Sequence, residues 1–294
     1  MANLATRAPA ISPGGIDWAA RWRGMVEARA GSGPGDFQAG GSRWDGRAER
    51  FARMARSLDA ETDPFVNALR ETLQPTDSVL DVGAGAGRYS LPIASRADQV
   101  TAVEPSSGMR DQLAQAATAR GLRNLTIVPS NWEDAEVETH DVAFAANVLY
   151  FVPDAVGFIE KLDQHARRAC FVLHRVEERA APLLPLWEEV WGHPRPLEPS
   201  AIDLYNLLFA IGIRPNVRLA PQRAPIRFET SQDAMREARQ SLRLAADDRT
   251  HDERIAAFLR AVVVKRDGLW EFPPGPQMAI ISWEKDGPRA TRTT

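Results

Sequence analysis

A short apolar run followed by three alternating glycines restricts the fold of this chain more than any other stretch. The run from Ser78 to Val82 has the composition of a buried strand, and Gly83, Gly85 and Gly87 follow it directly. Glycine is needed where the backbone takes a positive φ or approaches a ligand closely, and a helix that begins just beyond offers free N–H groups. The stretch therefore predicts a strand, a tight turn and a helix around a ligand site built largely from backbone.

Strand and helix patterns alternate after this turn. Apolar runs predict strands at residues 99–104, 125–129, 140–147 and 169–174, with amphipathic helices between them. Such alternation is typical of a parallel sheet with right-handed crossovers. The helix after the glycine turn is predicted to run to about Arg96, although a proline lies within it.

The class of ligand follows from what the turn lacks. A dinucleotide fingerprint needs its third glycine at position 88, where this chain has Arg88, and no Gly-Lys-Ser/Thr follows for a phosphate loop. Asp81, just before the turn, would repel a phosphate, whereas a carboxylate suits a ligand that carries an ammonium or sulfonium charge. The turn therefore favours a cationic ligand over a phosphate.

The residues from Asp81 to Gly87 resemble the first motif of the class I S-adenosylmethionine-dependent methyltransferases, which runs acid-x-Gly-x-Gly-x-Gly. The resemblance implies an α/β fold, with a doubly wound, mostly parallel seven-stranded sheet of the Rossmann-like methyltransferase kind. It implies S-adenosyl-L-methionine as cofactor and S-adenosyl-L-homocysteine as product. It covers residues 63–175 well, and a closing pair of strands near 217–228 and 277–283 more loosely.

The resemblance also implies cofactor-binding positions. An acid that closes the second strand, here Glu104, holds the ribose hydroxyls, because a carboxylate accepts from two vicinal donors. After the third strand the family commonly shows Asp-Ala-Glu, and this chain departs from it with Asn131-Trp132-Glu133. Asn131 would bond the adenine amino group through its side-chain oxygen. Trp132 would supply its backbone N–H to adenine, and its ring would either stack on adenine or serve ordinary packing. The predicted cofactor-binding residues are Asp81, Gly83, Ala84, Gly85, Gly87, Glu104, Pro105, Asn131, Trp132 and Asn147.

Three side chains are predicted to lie near the transferred methyl group. Ligands of open parallel sheets bind beyond the carboxyl ends of the strands. Asn147 and Tyr150 lie at that end of the fourth strand, and His174 lies at that end of the fifth. His174 is the preferred general base, and a hydrogen-bonded structural histidine is its alternative. The five histidines show no ligand spacing and Cys170 is the only cysteine, so no metal is predicted.

The segments outside the core are predicted to cover this site. The N-terminal helices, which carry Trp18, Trp22 and Trp44, either anchor the extension or form a lid over the substrate. The last predicted helix carries an apolar stripe, which suits a contact between two copies of the chain as well as it suits covering the site. The predicted units are an N-terminal tail and helical extension at 1–62, the cofactor-binding core at 63–178, a cap segment and last crossover helix at 179–213, closing strands at 214–230 and 269–285, and a helical insertion at 231–268.

Composition limits the classes of partner that we expect this protein to bind. The net charge of −3 gives no general attraction to nucleic acid or anionic lipid, and no secretory or membrane-spanning pattern is found, so a cytoplasmic protein is expected. We expect methyl transfer to a small-molecule acceptor, in a monomer or homodimer. The alternatives are methylation of RNA or protein, and a non-catalytic module that binds S-adenosylmethionine. The residues from Asn147 to Tyr150 lack the Asn/Asp-Pro-Pro-Tyr/Phe run that accompanies methylation of base amino groups.

Overall fold

A computed structural model describes residues 15–30, 42–45, 48–177, 183–221, 225–245, 247–274 and 277–285. The strands are β1 (Ser78–Val82), β2 (Gln99–Val103), β3 (Leu125–Val128), β4 (His140–Ala146), β5 (Ala166–Arg175), β6 (Asn216–Leu219), β7 (Pro225–Phe228), β8 (Val264–Arg266), β9 (Leu269–Pro274) and β10 (Met278–Glu284). The helices are α1 (Trp18–Ala30), α2 (Ser42–Asp45), α3 (Ala48–Arg56), α4 (Pro64–Thr72), α5 (Ser90–Ala94), α6 (Ser107–Ala119), α7 (Ala155–Gln164), α8 (Leu184–Trp191), α9 (Ala201–Ala210), α10 (Ser231–Ser241) and α11 (Asp252–Val262). A 3-10 turn spans Leu149–Phe151.

The central sheet has seven strands in the order β3-β2-β1-β4-β5-β10-β6. The first five strands pair in parallel, and β10 runs antiparallel between β5 and β6. The order of the strands reverses at β1, which lies between β2 and β4, and open α/β sheets bind ligands at the carboxyl ends of strands beside such a reversal. The predicted doubly wound, mostly parallel seven-stranded sheet is confirmed.

Helices cover both faces of this sheet. On one face Val79 of β1 packs in a cluster with Phe65 of α4, and on the other Leu80 packs in a cluster with Trp22 of α1. A strand buried on both sides reads as a continuous apolar run, which is why β1 was recognisable in the sequence. No helix within the described ranges is long and apolar enough to cross a bilayer.

The N-terminal helices contact segments that follow the carboxyl ends of the strands. The indole Nε1 of Trp22 donates to the carbonyl oxygen of Val152, beyond β4, at 2.9 Å. In α2, Asp45 Oδ1 accepts from the Ser106 hydroxyl at 2.6 Å and from the Gly108 N–H at 2.9 Å, at the start of α6. The extension therefore lies over the edge of the sheet at which ligands bind in this architecture. Whether it opens and closes as a lid stays a prediction.

A smaller unit is inserted at the same edge. Helices α8, α10 and α11 and the antiparallel sheet β7-β9-β8 share a separate apolar core. The chain leaves the central sheet after β5 and β6 and returns through β10, whose antiparallel direction places all these connections at the carboxyl edge. We call this unit, residues 183–191 and 225–274, the cap.

Two predicted elements differ from the structure. The closing strands were expected over 214–230 and 269–285, but only β6 and β10 join the central sheet, because β7 and β9 pair with each other in the cap. The helix after the glycine turn is the short α5 instead of a helix to Arg96. Pro92 is the third residue after the N-cap Tyr89, so it falls in the first turn, where no intrahelical N–H bond is lost.

Candidate active site

The glycine turn connects β1 to α5 at the carboxyl edge. Gly83, Gly85 and Gly87 all have positive φ, at +76°, +56° and +83°. A Cβ at Gly83 would come within 2.5 Å of Val148 Cγ2, and one at Gly87 would strike Leu113 and lie 2.9 Å from Leu91 Cγ. Gly83 and Gly87 are therefore required by backbone conformation and by packing together.

Gly85 differs from the other two glycines because space beside it is open. A Cβ at Gly85 would meet no atom of the described residues within 4 Å, and the Gly85 N–H donates to Glu104 Oε2 at 2.8 Å. Its positive φ still favours glycine. Gly85 is thus the point of the turn at which a ligand can approach the backbone next to a carboxylate.

Glu104 follows β2 directly and is held in one orientation. Its Oε1 accepts from the Ser106 N–H at 2.8 Å, and with the Gly85 bond each carboxylate oxygen has one backbone donor. Burial raises the pKa of Glu104, and the two N–H groups oppose that rise. Each oxygen keeps a further lone pair, so the carboxylate can accept from two more donors such as vicinal hydroxyls. Ala84 and Pro105, also predicted to bind the cofactor, lie next to these residues in the chain.

Asp81 lies in β1 on the side of α5. Its Oδ2 accepts from the Ser90 hydroxyl at 2.5 Å, and the side chain is almost completely buried. Burial raises the pKa of Asp81 to about 7, with a smaller contribution from the charge of Glu104, while the Ser90 bond acts the other way. Asp81 therefore gains or loses its proton near neutral pH, and a nearby cation would favour the ionised form.

The segment after β3 corrects one prediction. Asn131 is exposed, as its predicted adenine contact requires. The indole of Trp132 is buried against α7, where Nε1 donates to the Phe158 carbonyl at 3.2 Å and the Lys161 ammonium lies 4.7 Å from the ring centroid. Adenine stacking on Trp132 is therefore wrong for this structure, because both the ring and its N–H serve the core.

The segment after β4 reaches back to the glycine turn. Asn147 is exposed and has φ +62°, a conformation that is rare outside glycine, and its N–H donates to the Leu173 carbonyl at 3.0 Å. The next residue, Val148, lies against Gly83. Unusual backbone conformations of this kind concentrate at functional sites, which agrees with the predicted cofactor contact of Asn147.

Tyr150 and His174 lie close together, and both side chains are buried. Their rings stack with centroids 4.2 Å apart. The ring of Trp22, in α1, has its centroid 5.6 Å from that of the His174 imidazole. His174 has no exposed surface, its Nε2 lies 2.9 Å from the Pro199 carbonyl oxygen, and burial lowers its pKa to about 3. Tyr150 Oη accepts from the Arg175 N–H at 2.6 Å. In this arrangement His174 matches the structural alternative better than a base in contact with substrate.

The sequence did not identify two residues at this edge. Asp45 reaches the start of α6 from 61 residues upstream of Ser106, and no local pattern marks such a contact. Arg175 ends β5 beside His174 and lies over the Tyr150 ring, with its guanidinium carbon 3.6 Å from the ring centroid. Its position at a strand's carboxyl end was a usable signal. Among the described residues, no three His, Cys, Asp or Glu side chains group as metal ligands.

Comparison with known proteins agrees with this geometry. YcgJ from Bacillus subtilis superposes with a TM-score of 0.53 at 13% identity, over 74% of this chain and 97% of that one. The [4+2]-cyclase SpnF superposes with a TM-score of 0.51 at 17% identity, over 83% and 95%. These likenesses define the class of fold.

Residues 79–169 match the profile of a methyltransferase domain family, which agrees with the resemblance of this part of the chain to the class I S-adenosylmethionine-dependent methyltransferases. The cofactor predicted from the sequence is the one that this family uses. An uncharacterized protein from Haemophilus influenzae is 31% identical over 60% of this chain and 65% of its own length. A 23S rRNA (uracil(1939)-C(5))-methyltransferase from Pectobacterium carotovorum is 30% identical over 33% of this chain and 22% of its own length. The chain thus spans less than two thirds of either relative.

Proposed function

We propose that this protein binds S-adenosylmethionine at the glycine turn and transfers its methyl group to a small-molecule acceptor. The observation that carries the proposal is the pair formed by Gly85 and Glu104. Open backbone with a positive φ lies next to a carboxylate that two N–H groups hold and that retains acceptor capacity. A nucleoside ribose with two vicinal hydroxyls fits that carboxylate.

The chain's own residues have few chemical tasks in such a reaction. When bound, S-adenosylmethionine supplies a methyl group made electrophilic by its sulfonium. Glu104 would fix the ribose, and ionised Asp81 would attract the ammonium of the amino-acid portion. The remaining contribution is to orient the acceptor in line with the methyl group and to exclude water.

Coverage of the carboxyl edge supports a small acceptor. The N-terminal helices contact the segments after β2 and β4, and the cap is attached through the connections after β5 and β6. Long additions over strand ends are where substrate selectivity of α/β enzymes is usually built. The net charge of −3 also gives no general attraction to a polyanion.

Methylation of RNA is the second candidate, and the partial similarity to the rRNA methyltransferase is the observation that favours it. The two candidates differ in electrolyte dependence, because binding of RNA releases counterions and weakens steeply as salt rises. Tight, salt-dependent binding of RNA by this protein would favour the second candidate. Binding that is absent at 50 mM salt would leave the small-molecule acceptor as the proposal.

The cofactor site is tested by calorimetry with S-adenosylhomocysteine. Glu104→Gln removes the charge and replaces one acceptor oxygen with a donor, so we expect binding at least tenfold weaker, in line with about 1.5–3 kcal/mol for a hydrogen bond to a charged group. Glu71→Gln is the matched control, since the Glu71 side chain is 63% exposed and pairs with Arg218 on the surface. Equal affinity of wild type and Glu104→Gln would remove Glu104 from the site.

A further inference from the structure

Ser90 is the first residue of α5, just beyond the glycine turn, and it has no exposed surface. Its hydroxyl donates to Asp81 Oδ2 at 2.5 Å. Within the part of the chain that the structure describes, this is the only hydrogen bond of that hydroxyl. Burial of a hydroxyl is costly unless it is hydrogen-bonded, and alanine would occupy the same place without that cost. The bond to Asp81 therefore accounts for a serine at this position.

The two oxygens of the Asp81 carboxylate are not equivalent. Oδ2 accepts from Ser90, whereas Oδ1 accepts no hydrogen bond from any described residue. Oδ1 is also not one of the fully buried polar atoms that lack a partner, so it keeps some access to its surroundings. The residue as a whole is 2% exposed. Oδ1 is thus the carboxylate oxygen that a ligand at the glycine turn can reach.

The elements packed around Asp81 give its carboxylate no cationic partner among the described residues. In the sheet it lies between Ala102 of β2 and Phe144 of β4, and neither these strands nor α4 place a charged or titratable group on it. Glu104, which follows β2, is the ionisable side chain whose charge acts on Asp81. That charge and burial raise the pKa of Asp81, whereas the Ser90 bond lowers it. Ser90 is therefore the one described group that favours the ionised carboxylate.

We propose that Ser90 is a positioning residue for the cofactor, which holds Oδ2 of Asp81 so that Oδ1 receives the ammonium of S-adenosylmethionine. This inference rests on the proposed function and adds a residue to the same site. Without the hydroxyl, the carboxylate would lose its fixed orientation, and the acid would keep its proton to higher pH, because burial and Glu104 both disfavour the charge. Since Ser90 acts through Asp81, its effect should depend on pH and on the ammonium of the ligand.

Calorimetric titration of S-adenosylhomocysteine into full-length wild type and Ser90→Ala tests the proposal between pH 6 and pH 8.5. Loss of a hydrogen bond to a charged group raises the pKa of the carboxyl by about one unit. From a wild-type pKa of about 7, we expect the variant to bind about fivefold more weakly at pH 7 and less than about twofold more weakly at pH 8.5. A loss that is the same at both pH values, or no loss at all, would overturn the proposal, because a merely structural serine would not move the pH profile.

A second ligand separates the ammonium contact from support of the turn. 5′-Methylthioadenosine has the nucleoside and the thioether of the cofactor product without its amino-acid portion. Ser90→Ala should therefore bind this probe as tightly as wild type does at both pH values. An equal loss of affinity for 5′-methylthioadenosine and for S-adenosylhomocysteine would show that Ser90 supports the turn alone, and would overturn the proposal.

Ser95→Ala is the matched control, because Ser95 is the exposed C-cap residue of the same helix and its hydroxyl donates to the Pro92 carbonyl at 2.8 Å. We expect it to bind both ligands as wild type does. Ser90→Cys keeps a weak donor, so its pH profile should lie between those of wild type and Ser90→Ala, and it carries the test if Ser90→Ala does not fold. If S-adenosylhomocysteine binds wild type at no pH, the proposed function is refuted together with this inference. If it binds and the Ser90 variants keep the wild-type pH profile, only the role of Ser90 is refuted.

Discussion

Ionisation of Asp81 should make cofactor affinity depend on pH. Burial raises the pKa of Asp81 to about 7 in the free protein, and a cofactor ammonium favours the ionised carboxylate. Binding then releases a proton wherever Asp81 is protonated beforehand. The apparent dissociation constant is multiplied by the ratio of total to ionised Asp81, which is roughly 11 at pH 6 and close to 1 at pH 8. We therefore expect affinity to rise about tenfold between pH 6 and pH 8.

The assay is calorimetric titration of S-adenosylhomocysteine into wild type and Asp81→Asn from pH 6 to pH 8. Asparagine keeps an oxygen that can accept from Ser90, so the fold is retained while the titrating group is removed. The variant should bind more weakly at pH 8, and the pH dependence that wild type shows between pH 6 and pH 7 should disappear. Repeating the titration in buffers of different ionisation enthalpy counts the protons released. A wild-type affinity that is flat over this range, or an Asp81→Asn variant with the same slope, would refute the reasoning.

Because the pKa of Asp81 is raised from 3.8 to about 7, the folded state binds more protons than the unfolded state in that window, and stability falls as pH rises through it. Asp81→Asn lacks this titrating group, so its unfolding free energy minus that of wild type should rise by about 3 kcal/mol from pH 5 to pH 8, as measured by urea denaturation. A difference that stays constant with pH would contradict this. Gly85→Ala and Gly121→Ala each introduce a Cβ at a positive φ where no described atom lies within 4 Å, so each variant should lose about 1–2 kcal/mol of stability. Only Gly85→Ala should also weaken S-adenosylhomocysteine binding. Equal binding by the two variants would argue against a ligand at Gly85. Asp45→Ala removes the contacts of α2 to Ser106 and Gly108, so S-adenosylhomocysteine should dissociate several-fold faster in stopped-flow measurements, and an unchanged rate would show that α2 does not cover the site.

The central sheet and the glycine turn were predictable because their signals are local. The apolar run of β1, the spacing of Gly83 to Gly87 and the acid at Glu104 all lie within about thirty residues, and the strand order follows from the resemblance that they carry. Short-range patterns of this kind do not require knowledge of which distant segments pack together. The predicted carboxyl-edge location of the site depends only on this local information.

The surroundings of the site depend on contacts between distant parts of the chain. His174 is buried in contact with Trp22 and Pro199, which belong to other segments of the chain. Trp132 points toward α7 because Phe158 accepts its indole N–H and Lys161 packs against its ring. The cap sheet joins β7 to β9, more than forty residues later, where the sequence indicated an extension of the main sheet. Such pairings are set by tertiary packing, which periodicity in one segment does not contain.

Methyl transfer itself tests the central claim most directly. Purified protein is incubated with methyl-labelled S-adenosylmethionine and a fractionated metabolite extract, and the fractions are examined for label. We predict that wild type and Glu71→Gln label the same small-molecule fraction and that Glu104→Gln labels it at least tenfold more slowly at limiting cofactor. Failure of wild type to label any small-molecule fraction, while it binds S-adenosylhomocysteine, would contradict the account and favour a non-catalytic or macromolecule-directed role.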